Sequence, residues 1–296
     1  MTGFRVGELL EQPNLGSVSC EAGLNGVVGK GLIDARVDGS VSQLEFNGYD
    51  YDSLRFGGRL TEKTFNGHVR ADDPALRFDF QGEVGFNPER PHYDFDLDLI
   101  HADLARMHLN RRDSVSVLSA LVEARASGRT LDDLNGKVTV GDVVYRYNAD
   151  TLRTTRLTLD GQNSAGSKYL SLQSEFADAT FRSRTDYKTV FEYLRSSLEK
   201  YIPLLYDERK ARKRAAGAVS VVDDYSVLSV DVKHFTPVAD AVADGLQIAD
   251  GSQLRLLFNP ANDKLSLKAT SEYIERERML ATRLNLNATN RGDSLS

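Results

Sequence analysis

The chain has 296 residues, of which 41% are apolar and 27% are charged. This length and composition suit one large or two ordinary folded domains and argue against a disordered chain. The net charge of −6 argues against a general nucleic-acid-binding protein, which is usually basic. Cys20 is the only cysteine, so no disulfide can form within the chain, and no apolar run is long enough to span a bilayer.

The N-terminus lacks the basic and apolar regions that mark a secretory signal peptide. Two interpretations remain, namely a cytoplasmic protein or a piece of a longer exported chain. The sequence begins and ends within strand-like patterns, which favours the second interpretation. We therefore expect an internal segment of a longer protein.

Residues 4–37 are strand-like but irregular and rich in glycine. Gly29-Lys30-Gly31 resembles a phosphate-binding loop, but no helical pattern follows to supply N-terminal amides, so we interpret these glycines as turn residues. In residues 41–86, apolar and polar residues alternate, and turn signals such as Asn47-Gly48 and residues 61–64 recur about every ten residues. This spacing predicts an antiparallel meander rather than alternating strands and helices.

The clearest alternation lies in residues 76–99. Successive side chains of a strand face opposite sides, so a period of two residues indicates one apolar and one polar face. A polar connection with two prolines, residues 87–91, interrupts the pattern and predicts a hairpin. The alternating apolar residues are Leu76, Phe78, Phe80, Val84 and Phe86 before the connection, and Tyr93, Phe95, Leu97 and Leu99 after it.

Residues 100–113 lose the alternation and contain His101 and His108. No third ligand at a suitable spacing accompanies these two histidines, so we predict no metal site here. Further strand patterns follow at residues 122–126, 138–140, 144–147, 152–159, 169–172 and 176–181.

One segment has the three-and-four spacing of an amphipathic helix, with apolar residues from Tyr187 to Leu205. Thr185 or Asp186 could cap its start, and Pro203 should kink it or begin a second helix. The tail at residues 209–214 is densely basic. This tail is interpreted as a solvated helix end, with contact to anionic lipid head groups as the alternative. Later strand patterns lie at residues 227–232, 254–258, 265–269 and 280–286, and a short turn or helix is predicted at residues 237–245.

The sequence contains few motifs typical of catalysis or metal binding. Asp94, Asp96 and Asp98 resemble the start of a calcium loop, but the glycine and glutamate that such a loop needs are missing. The sequence contains no nucleophile elbow, no His-Glu-x-x-His motif and no Walker loop. We therefore predict a protein that is not an enzyme, with no catalytic residues, no cofactor and no metal.

The feature that points to a function is the number of alternating strand patterns, which far exceeds the number of helical patterns. An antiparallel sheet usually covers its apolar face with a second layer, and one helix cannot cover so many strands. The sheet must close as a sandwich or barrel, continue as a solenoid, or form a groove that accepts an apolar ligand. We predict such a groove, lined by Leu76, Phe78, Phe80, Val84, Phe86, Phe95, Leu97, Leu99, Val138, Val140, Leu170, Leu172, Leu254, Leu256, Phe258, Leu265 and Leu267.

Several short segments together point to one known family. They are Asn47-Gly48-Tyr49-Asp50-Tyr51 with Leu54, Phe65-Asn66-Gly67, Asp73-Pro74-Ala75-Leu76 with Phe78-Asp79-Phe80-Gln81-Gly82, Ala102-Asp103-Leu104, Leu109-Asn110-Arg111-Arg112-Asp113-Ser114, Leu134-Asn135-Gly136 and Asn290-Arg291-Gly292-Asp293-Ser294-Leu295. These segments, and the order of helix and strands, resemble the TamB family in its Bacteroidota form, which belongs to the AsmA-like bridge proteins. The resemblance covers nearly the whole chain.

The resemblance implies a mainly β fold, a long antiparallel meander curled into a β-taco whose apolar groove conducts phospholipid between the inner and outer membranes. It also implies a periplasmic location, an inner-membrane anchor outside this segment, and a role in outer-membrane biogenesis within a translocation and assembly module. The expected partners are phospholipid acyl chains and a BamA-like outer-membrane barrel protein. No residue of this chain can be matched to the barrel-binding part of the family.

The predicted organisation has three parts: a groove segment at residues 1–185, an amphipathic helix with a basic tail at residues 186–217, and a continuing groove segment at residues 218–296. The alternative function is a structural solenoid or sandwich that serves as a scaffold or adhesin and aids outer-membrane protein assembly without transporting lipid. An enzyme acting on glycans is a third alternative, and it would need a cleft with converging carboxylates.

Overall fold

The computed structural model describes residues 4–5, 14–29, 32–164, 166–201, 223–243, 246–276, 279–291 and 294–295. The predicted class, a mainly β antiparallel meander with one amphipathic helix near residues 186–214, is confirmed, and the structure describes this helix over Tyr187–Tyr201. The basic tail at residues 209–214 and Pro203 lie outside the described residues. The strands are β1 (Phe4–Arg5), β2 (Leu15–Gly29), β3 (Leu32–Phe46), β4 (Tyr49–Tyr51), β5 (Leu54–Thr61), β6 (Thr64–Asp72), β7 (Leu76–Gly85), β8 (His92–Asp103), β9 (Ser116–Ser127), β10 (Asn135–Tyr147), β11 (Asp150–Ser164), β12 (Ser167–Ser174), β13 (Ala177–Ser183), β14 (Ser226–Val232), β15 (Leu246–Ile248), β16 (Gln253–Asn259), β17 (Lys264–Arg276), β18 (Met279–Arg291) and β19 (Ser294–Leu295).

Two α-helices occur among the described residues, α1 (Tyr187–Tyr201) and α2 (Thr236–Ala243). The short helix α2 forms where the sequence predicts a turn or a helix. A 3-10 helix at Leu131–Asp133, which the sequence pattern does not indicate, begins at Thr130 with a reciprocal capping box.

The chain divides into two compact units. Unit 1 contains residues 1–129 and 136–158, and unit 2 contains residues 130–135 and 159–296. This division differs from the predicted boundaries at residues 185 and 217. The reason is that β13 pairs directly with β14, with Ala177 opposite Val232, so α1 is an insertion between two paired strands of one unit.

In unit 1, six strands align their apolar residues into rows. Residues directly opposite each other in an antiparallel pair lie on the same face of the sheet. Each row therefore crosses β3, β5, β6, β7, β8 and β9 on one face. One row contains Val41, Leu54, Ala71, Phe78, Leu99 and Ala120, and the next contains Gly39, Phe56, Val69, Phe80, Leu97 and Val122.

A neighbouring row brings three glycines together. Gly58 of β5 lies opposite Gly67 of β6, which lies opposite Gly82 of β7, and Phe95 of β8 follows. A Cβ added to Gly67 would lie 2.2 Å from the Gly57 carbonyl oxygen and 2.7 Å from the Gly58 Cα. The backbones approach too closely here for a side chain to fit without a shift, which is one of the roles of glycine within strands.

One end of unit 1 has a small core of its own. Tyr51, Ala75, Ala102 and Met107 are buried there, against partly buried residues of β3, β5 and β9. Met107 comes from the turn after β8, where the sequence alternation is lost. This segment therefore covers one end of the sheet, which accounts for the loss of alternation there.

In unit 2, similar rows cross β12, β13, β14, β16, β17 and β18. Helix α1 packs on one part of this face, where Phe181, Tyr187, Val190, Phe258 and Leu265 form a buried cluster. One row contains Leu172, Ala179, Val230, Leu254, Ala269 and Leu286, and the next contains Leu170, Phe181, Leu228, Leu256, Leu267 and Ala288.

The glycine row predicts a position-specific loss of stability. We expect Gly67→Ala to lower the free energy of unfolding by about 1–3 kcal/mol, because its methyl group would press on the backbone of β5. Gly29→Ala is the matched control, since nothing lies within 4 Å of a Cβ added there. The measurement is the urea midpoint of each variant. Equal midpoints for the two variants would contradict the close approach.

Candidate functional site

The rows define a continuous surface in each unit, which we call the apolar face. Its side chains in β7 and β8 of unit 1 are half-buried, including Phe80 and Leu97. The Phe80 and Phe95 rings lie 5.1 Å apart between centroids, across the backbone of Gly82. These side chains contact one another within the sheet, and each keeps part of its surface accessible.

Of the seventeen predicted groove residues, fourteen are half-buried. Phe258 and Leu265 are buried instead, because α1 covers them. Phe86 is 47% exposed, since β7 ends at Gly85 and Phe86 lies in the connection to β8. Val138 and Val140 lie in β10, which pairs with β9.

The register adds residues to the apolar face that the predicted groove omitted. Phe56 and Val69 lie in the same row as Phe80, and Leu228 lies in the same row as Leu256. Their alternation is visible in the sequence. Gly58 and Gly67 also occupy alternate positions in their strands. Only the register shows that they lie opposite each other and that the two backbones approach closely there.

The opposite face, which we call the polar face, carries cross-strand ion pairs. Arg125 bonds Asp94 at 2.8 Å and Asp96 at 3.0 Å, so two of the three aspartates that resemble a calcium loop are held by one arginine. Asp34 accepts two hydrogen bonds from Arg59, which holds the pKa of Asp34 below its usual value. Hydrogen bonds from His92 and Asn66 likewise lower the pKa of Glu83. Several charged side chains of this face are therefore paired across neighbouring strands.

A wide depression of about 570 Å³ lies on the polar face of unit 1. Asp96, Asp98 and Glu123 border it together with Arg156. Asp96 is already paired with Arg125. Within the described residues, no group of three or more histidine, cysteine or acidic side chains could hold a metal ion, and this holds for His101 and His108 too.

In unit 2, an ion-pair network fixes the start of α1. The Lys168 side chain is 11% exposed, and its ammonium group bonds Asp186 just before the helix and lies 3.0 Å from Asp132. The same Asp132 carboxylate accepts a hydrogen bond of 2.7 Å from the Tyr187 backbone N–H. Asp132 therefore satisfies a free donor of the first helical turn from a distant part of the chain. The sequence suggested Thr185 or Asp186 for this role.

The aromatic side chains of α1 continue this attachment. The Phe181 ring lies 4.9 Å from Tyr187 and 6.3 Å from Phe258, and the Phe258 ring lies 5.9 Å from Tyr193. Phe191, in contrast, is 59% exposed at the edge of the helix. The helix thus fills one part of the apolar face of unit 2 and leaves the row through Val230 and Leu254 half-buried.

Between α1 and the sheet lies an apolar cavity of about 190 Å³. Its walls are almost entirely carbon. The lining residues are Leu131, Leu159, Leu170, Leu172, Ala179, Thr180, Phe181, Tyr187, Val190, Phe191, Leu194 and Leu228.

Alkaline pH should weaken the attachment of α1. Burial, together with the charge of Asp132, raises the pKa of Tyr187 to about 12. Burial of Lys168 acts to lower its pKa, but hydrogen bonds to Asp186 and Asp132 outweigh this and raise it. The folded protein therefore keeps protons that the unfolded chain releases above about pH 10. The stability that protonated Tyr187 and Lys168 contribute is fully present below about pH 10, and it is lost as the pH rises toward 12.

The measurement is the urea midpoint of unfolding between pH 9 and pH 12. We expect the midpoint to fall over this range in the unaltered protein and to fall less steeply in Tyr187→Phe, which has no phenol to ionise. Identical pH profiles for the two proteins would contradict the role of Tyr187.

No protein-family model, curated protein or solved structure matches this chain. Among the described residues, neither helix combines the length and apolar character that crossing a membrane requires.

Proposed function

We propose that this chain is a segment of a periplasm-spanning bridge protein whose apolar face carries the acyl chains of phospholipids between the inner and outer membranes. The observation that supports it best is the set of apolar rows in each unit, whose side chains are mostly half-buried rather than closed within a core. Large exposed apolar surfaces on proteins usually mark sites that bind another apolar surface.

The energetics of such a surface suit transport better than storage. Each buried methylene contributes about 0.8 kcal/mol, whichever leucine, valine or phenylalanine it contacts. An acyl chain can therefore slide from one row to the next without losing a specific bond. The charged side chains of β7 and β8 alternate with the apolar ones, so they lie on the opposite face, away from that path.

The cellular setting in this proposal rests on the resemblance to TamB-type bridge proteins. That setting includes the periplasm, a membrane anchor elsewhere in the full-length protein and a BamA-like barrel partner. The role in outer-membrane biogenesis belongs to the same proposal, in which the chain itself carries out no catalysis.

The alternative is a scaffold that aids outer-membrane protein assembly without carrying lipid. The packing of α1 on Phe258 and Leu265 favours it, because there the protein covers its own apolar face. The two proposals differ in what contacts Phe80 and Leu97 in cells, which is lipid in the first and protein in the second.

A photo-crosslinking amino acid at Leu97, the partner of Phe80 in the neighbouring strand, tests the proposal in cells. We expect it to capture phospholipid, identified by mass spectrometry of the adduct. The matched control places the crosslinker at Gln81, an exposed residue of the polar face in β7. Capture of protein alone at Leu97, or equal lipid capture at both positions, would overturn lipid conduction.

Phe80→Asp provides a second test in the same cells. We expect it to reduce lipid capture at Leu97 by about tenfold or more, because a passing acyl chain would have to desolvate an unpaired carboxylate. Gln81→Asp adds the same charge to the polar face and should leave capture unchanged. Circular dichroism of both purified variants verifies that the sheet remains folded.

A further inference from the structure

We propose that the cavity between α1 and the sheet of unit 2 is a binding site for the end of a single alkyl chain. This inference rests on the proposed function and deepens it, since it places one defined site beside an otherwise uniform apolar face. The ligand class follows from the walls, the size and the position of the cavity.

The walls exclude polar ligands. Leucine, phenylalanine, valine and alanine side chains make up nearly the whole lining, including Leu172 and Ala179 of the sheet and Leu194 of the helix. A polar group placed there would lose its hydrogen bonds to water and gain none. Its apolar walls offer water almost no hydrogen-bond partners, so a hydrocarbon that enters displaces no tightly bound water.

The size excludes bulky ligands. The volume of about 190 Å³ is somewhat larger than an engineered apolar cavity of about 150 Å³ that accepts benzene. It therefore holds on the order of six to eight carbon atoms, which is part of one acyl chain. A sterol or a pair of complete acyl chains is too large.

The position joins the cavity to the rest of the apolar face. Leu172 and Ala179 line the cavity and also belong to the row that continues through Val230 and Leu254. The row supplies a path by which a chain lying on the sheet can insert its end beneath the helix. Leu131 and Phe191, both about half exposed, complete the lining nearer the solvent.

The cavity is preformed because α1 is held at its start and along its apolar side. The Lys168 network fixes the start of the helix, and aromatic ring contacts attach its apolar side to Phe181 and Phe258. When a ligand binds to a preformed site, little free energy is lost in ordering the side chains of that site. The affinity for an alkyl chain is therefore set mainly by how many methylenes the cavity can accept.

A chain-length series tests this inference. The probes are 1-alkanols from butanol to decanol, and calorimetry on the full chain gives the dissociation constant for each. We expect the affinity of this site to rise about fourfold per methylene and then to level off at about six to eight carbons, when the cavity is full. Binding at the open apolar face continues to strengthen with every added carbon.

Two variants identify the cavity as the source of the plateau. Ala179→Leu adds three carbons to the wall and should move the plateau down by about three carbons. Leu172→Ala removes three carbons and should move it up. Ala177→Leu, the same substitution on the same face of β13 but outside the lining, is the control and should leave the plateau in place.

The outcomes separate this inference from the proposed function. A plateau that shifts as described supports the cavity as an alkyl site. The inference is overturned if the series shows no plateau, if Ala179→Leu leaves the plateau at the same chain length, or if no alkanol binds. None of these results bears on lipid capture at Leu97, which lies in unit 1 and is measured with phospholipid in cells.

Discussion

The organisation of this protein depends on the register between neighbouring antiparallel strands. A period of two residues divides one strand into two faces, but only correct pairing makes those faces continuous from strand to strand. In unit 1, Phe56, Val69, Phe80, Leu97 and Val122 occupy successive places in one row. A shift of one residue in any pair would place a charged residue such as Asp96 or Asp79 in that row. The alternation and the hairpin turns together prevent such shifts.

The two units differ in what borders their apolar faces. In unit 1 the strand backbones approach closely at Gly58, Gly67 and Gly82, where an added Cβ would lie within 2.4 Å of a backbone carbonyl oxygen. Unit 2 instead places α1 over Phe181 and Phe258. In each unit many apolar side chains remain half-buried. This arrangement leaves part of the driving force for burial available to another molecule.

Local patterns predicted the elements of this fold better than their assembly. The strands around Phe80 and Leu256 follow from alternation, and the start of α1 follows from three-and-four spacing. The pairing of β13 with β14 across the helix insertion is a non-local contact, so the predicted boundaries placed α1 in a segment of its own. Phe86 continues the alternating pattern in the sequence, but the strand ends at Gly85. Only the fold shows that the connection begins there.

The candidate site, too, was predictable from the sequence only in part. Its apolar residues could be predicted one strand at a time, because each shows in the alternation. The glycine row could not, because Gly58, Gly67 and Gly82 become neighbours only through the register of three strands. Lys168 and Asp132 are 36 residues apart, and no local pattern links a lysine in β12 to the start of α1. The cavity depends on that link, since the helix that forms its wall is positioned by it.

The separation of charge from the apolar face is the feature that joins fold and function. Asp94, Asp96 and Arg125 satisfy one another on the polar face, as do Asp34 and Arg59. Exposed pairs of this kind add little stability, typically below about 1 kcal/mol each. Their value lies in keeping ionised groups out of the rows, where an unpaired charge would obstruct a hydrocarbon. Within unit 2, α1 covers one defined part of the apolar face, at Phe258 and Leu265, and leaves the neighbouring row half-buried.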